Sequence, residues 1–141
     1  MAEITRKELI LALVAAGPNP RLMGVDLSGI DLSGLALHRA NLARADLRGA
    51  NLTMTTLFEA NLAGANLAGA NLTRADLERA HLVGASLVHA NLTDAILTEA
   101  NLTDTLMDGA NLRGADLGGV KGLDRDLARE LGASDEGRDG R

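Results

Sequence analysis

Three histidines, a scatter of carboxylates and hydroxyls, and no cysteine make up the reactive side chains of this 141-residue chain. Disulfides, thiolate metal sites and cysteine nucleophiles are therefore excluded. His38, His81 and His89 share no metal-ligand spacing with one another or with carboxylates. No serine stands at the spacing of a hydrolase motif, and the frequent glycines form no phosphate-cradling loop. The sequence thus predicts no catalytic residue, no metal and no cofactor, and the protein is expected not to be an enzyme. His81 instead belongs to a column, Asn41, Asn61, His81 and Asn101, that recurs every 20 residues. It reads as a substitution at a repeated surface position.

That order governs most of the chain. Leucine occupies every fifth position from Leu27 to Leu117, with Met107 the one exception, which makes nineteen units in register. Two residues before each leucine stands a small or apolar residue, mostly alanine, with Thr55 and Thr105 interposed. The residue just before leucine is usually Asn or Asp. On an α-helix, five residues advance about 500°, which would spread the leucines over every side. On a straight strand, an odd period sends alternate leucines to opposite faces. A chain that turns a corner in each unit buries them together, and stacked turns of that kind make a solenoid. Asn51, Asn71, Asn91 and Asn111 share one phase, as do Thr53, Thr73 and Thr93, which points to four sides per coil. These residues are expected to form outward ladders about 4.8 Å apart that bond from coil to coil.

The A(N/D)LXX pattern resembles that of the pentapeptide-repeat family over about two-thirds of the chain. The resemblance implies an all-β solenoid, a right-handed quadrilateral β-helix of about five coils, with leucine and alanine inward. A rod on the order of 24 Å long follows from the strand spacing. Some members of that family bind DNA gyrase or topoisomerase IV as mimics of a B-form duplex and confer fluoroquinolone resistance. The resemblance therefore implies a type II topoisomerase as a candidate partner. The alternative is a structural or scaffold protein with a protein-binding face unrelated to topoisomerase.

A stack of coils leaves an unpaired edge at each end. Thr5 and Glu8 read as a capping box opening a helix with the stripe Leu9, Ile10, Leu13 and Val14, stopped at Gly17-Pro18. Leu123, Leu127 and Leu131 within "LDRDLAREL" predict a second short helix, either covering the last coil or making a homodimer contact at the C-terminal end. The expected organisation is a helical cap over 1–21, a β-helix over 22–120, a helical cap over 121–132 and a disordered tail over 133–141. Segment 9–16 is too short for a membrane span and does not read as a signal peptide, so no membrane association and a cytoplasmic location are expected. The net charge of −5 argues against direct nucleic-acid binding. Composition suits a bacterial source.

Function would then lie on the exterior. Four-sided phasing gathers Glu59, Asp76, Glu78, Glu99 and Asp116 on one face, against Arg39 and Arg79. This is the candidate acidic face for a topoisomerase. A second face carries Asp26, Asp46 and Asp108 against Arg48. Met54 and Phe58, the latter the sole aromatic residue, form a candidate apolar contact, and Val83, Val88, Ile96 and Leu106 also point outward in this phasing.

Overall fold

A computed structural model describes residues 4–134 of the chain. Parallel backbone bridges join residues 20 apart in one unbroken series, from Arg21 with Asn41 to Asn101 with Lys121. Four pentads therefore complete one coil. Each bridge is a single residue long, and among the described residues no run of backbone forms an extended strand. The reason lies in the period: a turn follows every leucine, so each side of the coil is too short for a strand.

Four faces follow from the coil. Face 1 lies over Leu42, Leu62, Leu82 and Leu102, and face 2 over Leu27, Leu47, Leu67, Leu87 and Met107. Face 3 lies over Leu32, Leu52, Leu72, Leu92 and Leu112, and face 4 over Leu37, Leu57, Leu77, Leu97 and Leu117. All of these side chains are buried except Leu117, which is partly so, and nearly all of the alanines two residues before them join the same core. Thr55 takes an alanine place at 0% exposure, and its hydroxyl donates to the carbonyl of Leu32 at 2.8 Å. Thr105 does the same to Leu82 at 2.7 Å. Both hydroxyls are thus satisfied inside an apolar column, where an orphaned one would cost stability.

In a unit of the middle coils with Asn or Asp before leucine, every backbone N–H has a destination. In the unit from Ala60 to Gly64, Ala60 donates across the preceding turn to Leu57 at 3.0 Å, and Asn61 donates back one coil to Ala40 at 2.9 Å. Leu62 and Gly64 donate forward to His81 at 2.7 Å and Val83 at 3.0 Å. The remaining donor, Ala63, is taken by the Asn61 side-chain oxygen at 3.0 Å. The last residue of each unit, from Gly24 to Gly119, has positive φ; half of these twenty positions are glycine and half carry a side chain, such as Arg44 at 59° and Asp94 at 57°. The left-handed turn is thus imposed by the coil, even where the residue itself disfavours it.

Two helices flank the coils. Helix α1, Arg6–Ala16, opens with the expected capping box between Thr5 and Glu8 and ends at Gly17, whose φ is 82°. Leu9 is buried in the common core and Leu13 packs against it. Ile10, however, is 37% exposed. An eight-residue run without charge cannot turn every apolar side chain inward on a helix lying on a surface, and Ile10 is on the outer side with Leu11. Val14, placed in the same stripe by the sequence, has a side chain outside the described set. Arg6 donates to the carbonyls of Asp31 at 2.8 Å and Ser33 at 2.6 Å. In the next coil the equivalent carbonyls, those of Asn51 and Thr53, accept from Leu32 and Gly34. One guanidinium fork therefore takes the place of two backbone donors from a missing coil.

Helix α2, Arg125–Glu130, is shorter than the leucine spacing suggests, with Asp124 as its N-cap. Only Leu127 lies within it; Leu123 and Leu131 flank it. All three are partly buried and pack against the core cluster. The carbonyl of Leu131 accepts from Leu112 at 2.7 Å, in the register that the next coil would use. Most of the tail expected from residue 133 lies outside the described residues.

Candidate interaction surface

The exterior is built from three positions of each unit: the residue before leucine and the two after it. Asn or Asp fills the first at thirteen of the nineteen units, and in every one its side-chain oxygen accepts from the backbone N–H two residues on. This is an Asx turn. Where Ser or Thr follows leucine, its hydroxyl donates to the same oxygen, as Thr73 does to Asn71 at 2.6 Å. The expected ladders bonded from coil to coil are therefore corrected: the amides stack in columns but bond within their own pentads. The N–H that the coil leaves over captures the amide oxygen at closer quarters than the next coil can offer.

Face 3 keeps the Asx turn in all five units, through Asp31, Asn51, Asn71, Asn91 and Asn111. Face 4 keeps it only at Asp76 and Asp116. Ala36, Thr56 and Ile96 replace it elsewhere on face 4, and the N–H groups of His38, Phe58 and Thr98 find no acceptor among the described residues. The candidate acidic residues occupy this same face. Glu59 and Glu99 stand at its corner with face 1, in a column whose charges alternate: Arg39, Glu59, Arg79, Glu99. All four have φ between 55° and 59°. Arg39 pairs with Glu59 at 3.8 Å, and Arg79 with Glu99 at 2.8 Å. The bond to Glu99 raises the Arg79 pKa above its ordinary value. Asp76, Glu78 and Asp116 have no cationic partner among the described residues. An open groove beside the column brings Glu59, Arg79 and Glu99 next to His81, Asn101 and Lys121 of face 1.

On face 2 Arg48 grips Asp46 with two bonds, at 2.8 and 2.6 Å, and that hydrogen bonding holds the Asp46 carboxyl below the usual range. On face 3 the Ser33 hydroxyl and N–H do the same for Asp31, with help from Arg6. Met54 is 60% exposed, and Phe58 and Val88 stand at exterior positions but are half-buried. Leu106, Ile96 and Val83 are exposed, on three different faces. Near α2 a cavity of about 210 Å³ is lined by Leu117, Val120, Leu123 and Ala128 together with Arg125 and Arg129. His38, His81 and His89 are all exposed, and no His/Asp/Glu cluster among the described residues could hold a metal ion. No helix among them is long and apolar enough to cross a membrane.

Sequence reasoning missed two of these features. The role of Arg6 leaves no periodic trace. The alternating column does: residues 39, 59, 79 and 99 are each one coil apart, and ordering their charges along the column would have exposed it.

A four-pentad coil with a filled aliphatic interior and one-residue bridges defines a class, the pentapeptide solenoids. The chain belongs to the pentapeptide-repeat family, whose model matches residues 21–57, 56–94 and 85–121. Among solved structures it is similar to a pentapeptide repeat protein from the thylakoid lumen of Arabidopsis thaliana, at 38% identity over 78% of this chain and 76% of that one, with a TM-score of 0.72. It is also similar to the pentapeptide repeat protein Rfr23 of the cyanobacterium Cyanothece 51142, at 26% identity over 80% and 98% of the two chains, with a TM-score of 0.44. The plasmid-mediated fluoroquinolone resistance protein QnrB1 matches at 16% identity over 81% and 90%, with a TM-score of 0.34. No curated protein matches the chain in sequence.

Proposed function

We propose that the protein is a non-enzymatic, cytoplasmic interaction module that a protein partner reads from outside, through its exterior side chains. The observation behind this is the closed interior: leucine and alanine fill it, and the coil consumes most of its own backbone donors, so chemical variety is left to the surface. In this reading the coil is right-handed, as the family neighbours imply, and α1 and α2 cap its two edges, with Arg6 and Leu131 supplying the missing bonds.

The alternating column argues for a partner recognised by shape and mixed charge, and against duplex mimicry. Phosphates repeat a single sign, whereas here Glu59 and Glu99 are neutralised by neighbouring arginines. The topoisomerase reading keeps one support, the uncompensated carboxylates of Asp76, Glu78 and Asp116. A gyrase supercoiling assay, with and without a quinolone, separates the two. The expected result is neither inhibition nor protection at protein concentrations up to about 100 µM, the range of a weak complex. Inhibition that disappears in Asp76→Lys/Glu78→Lys would replace the scaffold reading with duplex mimicry.

A further inference from the structure

We propose that the protein pairs with a second copy of itself, side by side and antiparallel, along the column Arg39, Glu59, Arg79, Glu99. From the N-terminal coil onward the signs run plus, minus, plus, minus. Read backwards they run minus, plus, minus, plus. Two rods laid antiparallel along this corner set Arg39 against the partner's Glu99 and Glu59 against the partner's Arg79, and the two-fold axis repeats both contacts. A parallel arrangement would oppose like charges in every row. Both copies share one coil spacing, about 4.8 Å, so all four rows come into register together.

The neighbouring columns accept the same operation. Thr56 meets the partner's Asp76, Ala36 the partner's Ile96, and Asn61 the partner's His81; like charges meet only beyond the ends of the strip, where Arg21 faces the partner's Lys121. The four side chains are accessible, with exposures of 59%, 35%, 54% and 54% along the column. Pairing within the chain does not use them up, because each arginine lies between its own glutamate and the partner's and can bond to both. This contact is distinct from any pairing through α2 and does not depend on the identity of another partner.

A strip four coils long spans about 19 Å, well short of a standard interface, so the association is weak and depends on charge. Sedimentation equilibrium on the full chain tests it. Dimer should form at high micromolar protein in about 25 mM salt and weaken about tenfold or more in about 500 mM salt. Glu59→Arg changes the column to three positive charges and one negative; Arg79→Glu changes it to one positive and three negative. Each variant alone should lose the dimer, whereas an equimolar mixture of the two should form a heterodimer, because one column is again the reversed complement of the other. The double variant Glu59→Arg/Arg79→Glu should recover self-association. Circular dichroism should be unchanged throughout, since both positions are surface positions and their backbone is held by the coil. A chain that stays monomeric at low salt, a dimer indifferent to Glu59→Arg, or a mixture without heterodimer would each overturn the proposal.

Discussion

Faces 3 and 4 wind around the same core and share one backbone hydrogen-bond scheme, yet they treat the residue before leucine in opposite ways. Face 3 closes every unit with an Asx turn; face 4 does so twice and elsewhere offers Ala36, Thr56 and Ile96. The coil does not falter where the turn is missing: Leu57 still bonds to Asp76 at 2.7 Å, and Leu97 to Asp116 at 2.8 Å. The Asx residue is thus a local convenience that serves one leftover donor, while the coil itself rests on inward leucines and bonds between coils. A face released from that convenience can carry other chemistry, and face 4 carries the sole aromatic residue and borders the alternating charges.

The largest test of this contrast strikes what the faces share. Leu72→Ala beneath face 3 and Leu77→Ala beneath face 4 should each cost about 3 kcal/mol, from lost burial and the cavity left behind. Denaturant melts should give matching losses; a much cheaper Leu77→Ala would mean that face 4 is loosely packed and would erase the distinction between core and exterior. The next test strikes where the faces differ. Asn71→Ala removes an acceptor from the Thr73 N–H and should destabilise by about 1 kcal/mol. Thr56→Asn should supply an acceptor to the idle Phe58 N–H and stabilise by about 0.5 kcal/mol. Opposite signs in thermal melts support the contrast, and like signs break it.

The smallest effect is in pH. Asp31 on face 3 and Asp46 on face 2 are held below their ordinary value of 3.8, by Ser33 and by Arg48 respectively. A carboxyl depressed in the folded state adds stability above its unfolded pKa and loses it as pH falls through the folded one. Melting temperature should therefore hold above about pH 5 and decline below about pH 4. Asp31→Asn/Asp46→Asn keeps both Asx acceptors and should flatten that decline.

The fold was legible because repetition multiplies a faint signal. One leucine five residues after another says little; eighteen leucines and Met107 in phase leave only a chain that bends in each unit. The 20-residue recurrence of Asn51, Asn71, Asn91 and Asn111 likewise disclosed four sides. Singular contacts gave no such help. Arg6 reaches 25 and 27 residues ahead in a way nothing in its neighbourhood marks. Ile10 is apolar but faces out, because α1 carries more apolar residues than one side can hide. The direction of the Asn side chains was misread because a 20-residue period tells which residues stack, and not whether they bond to each other or to their own backbone.

The 20-residue bridges hold a further consequence. Since each unit meets the interior with the same pair of side chains, a duplicated block of five residues would pass through the core almost unnoticed. It would nevertheless swing everything downstream by a quarter revolution, carrying Glu99 away from Arg79 and lining up other residues in its place. A gene lineage built this way can reshuffle its binding surfaces by copying errors alone, without relearning how to fold.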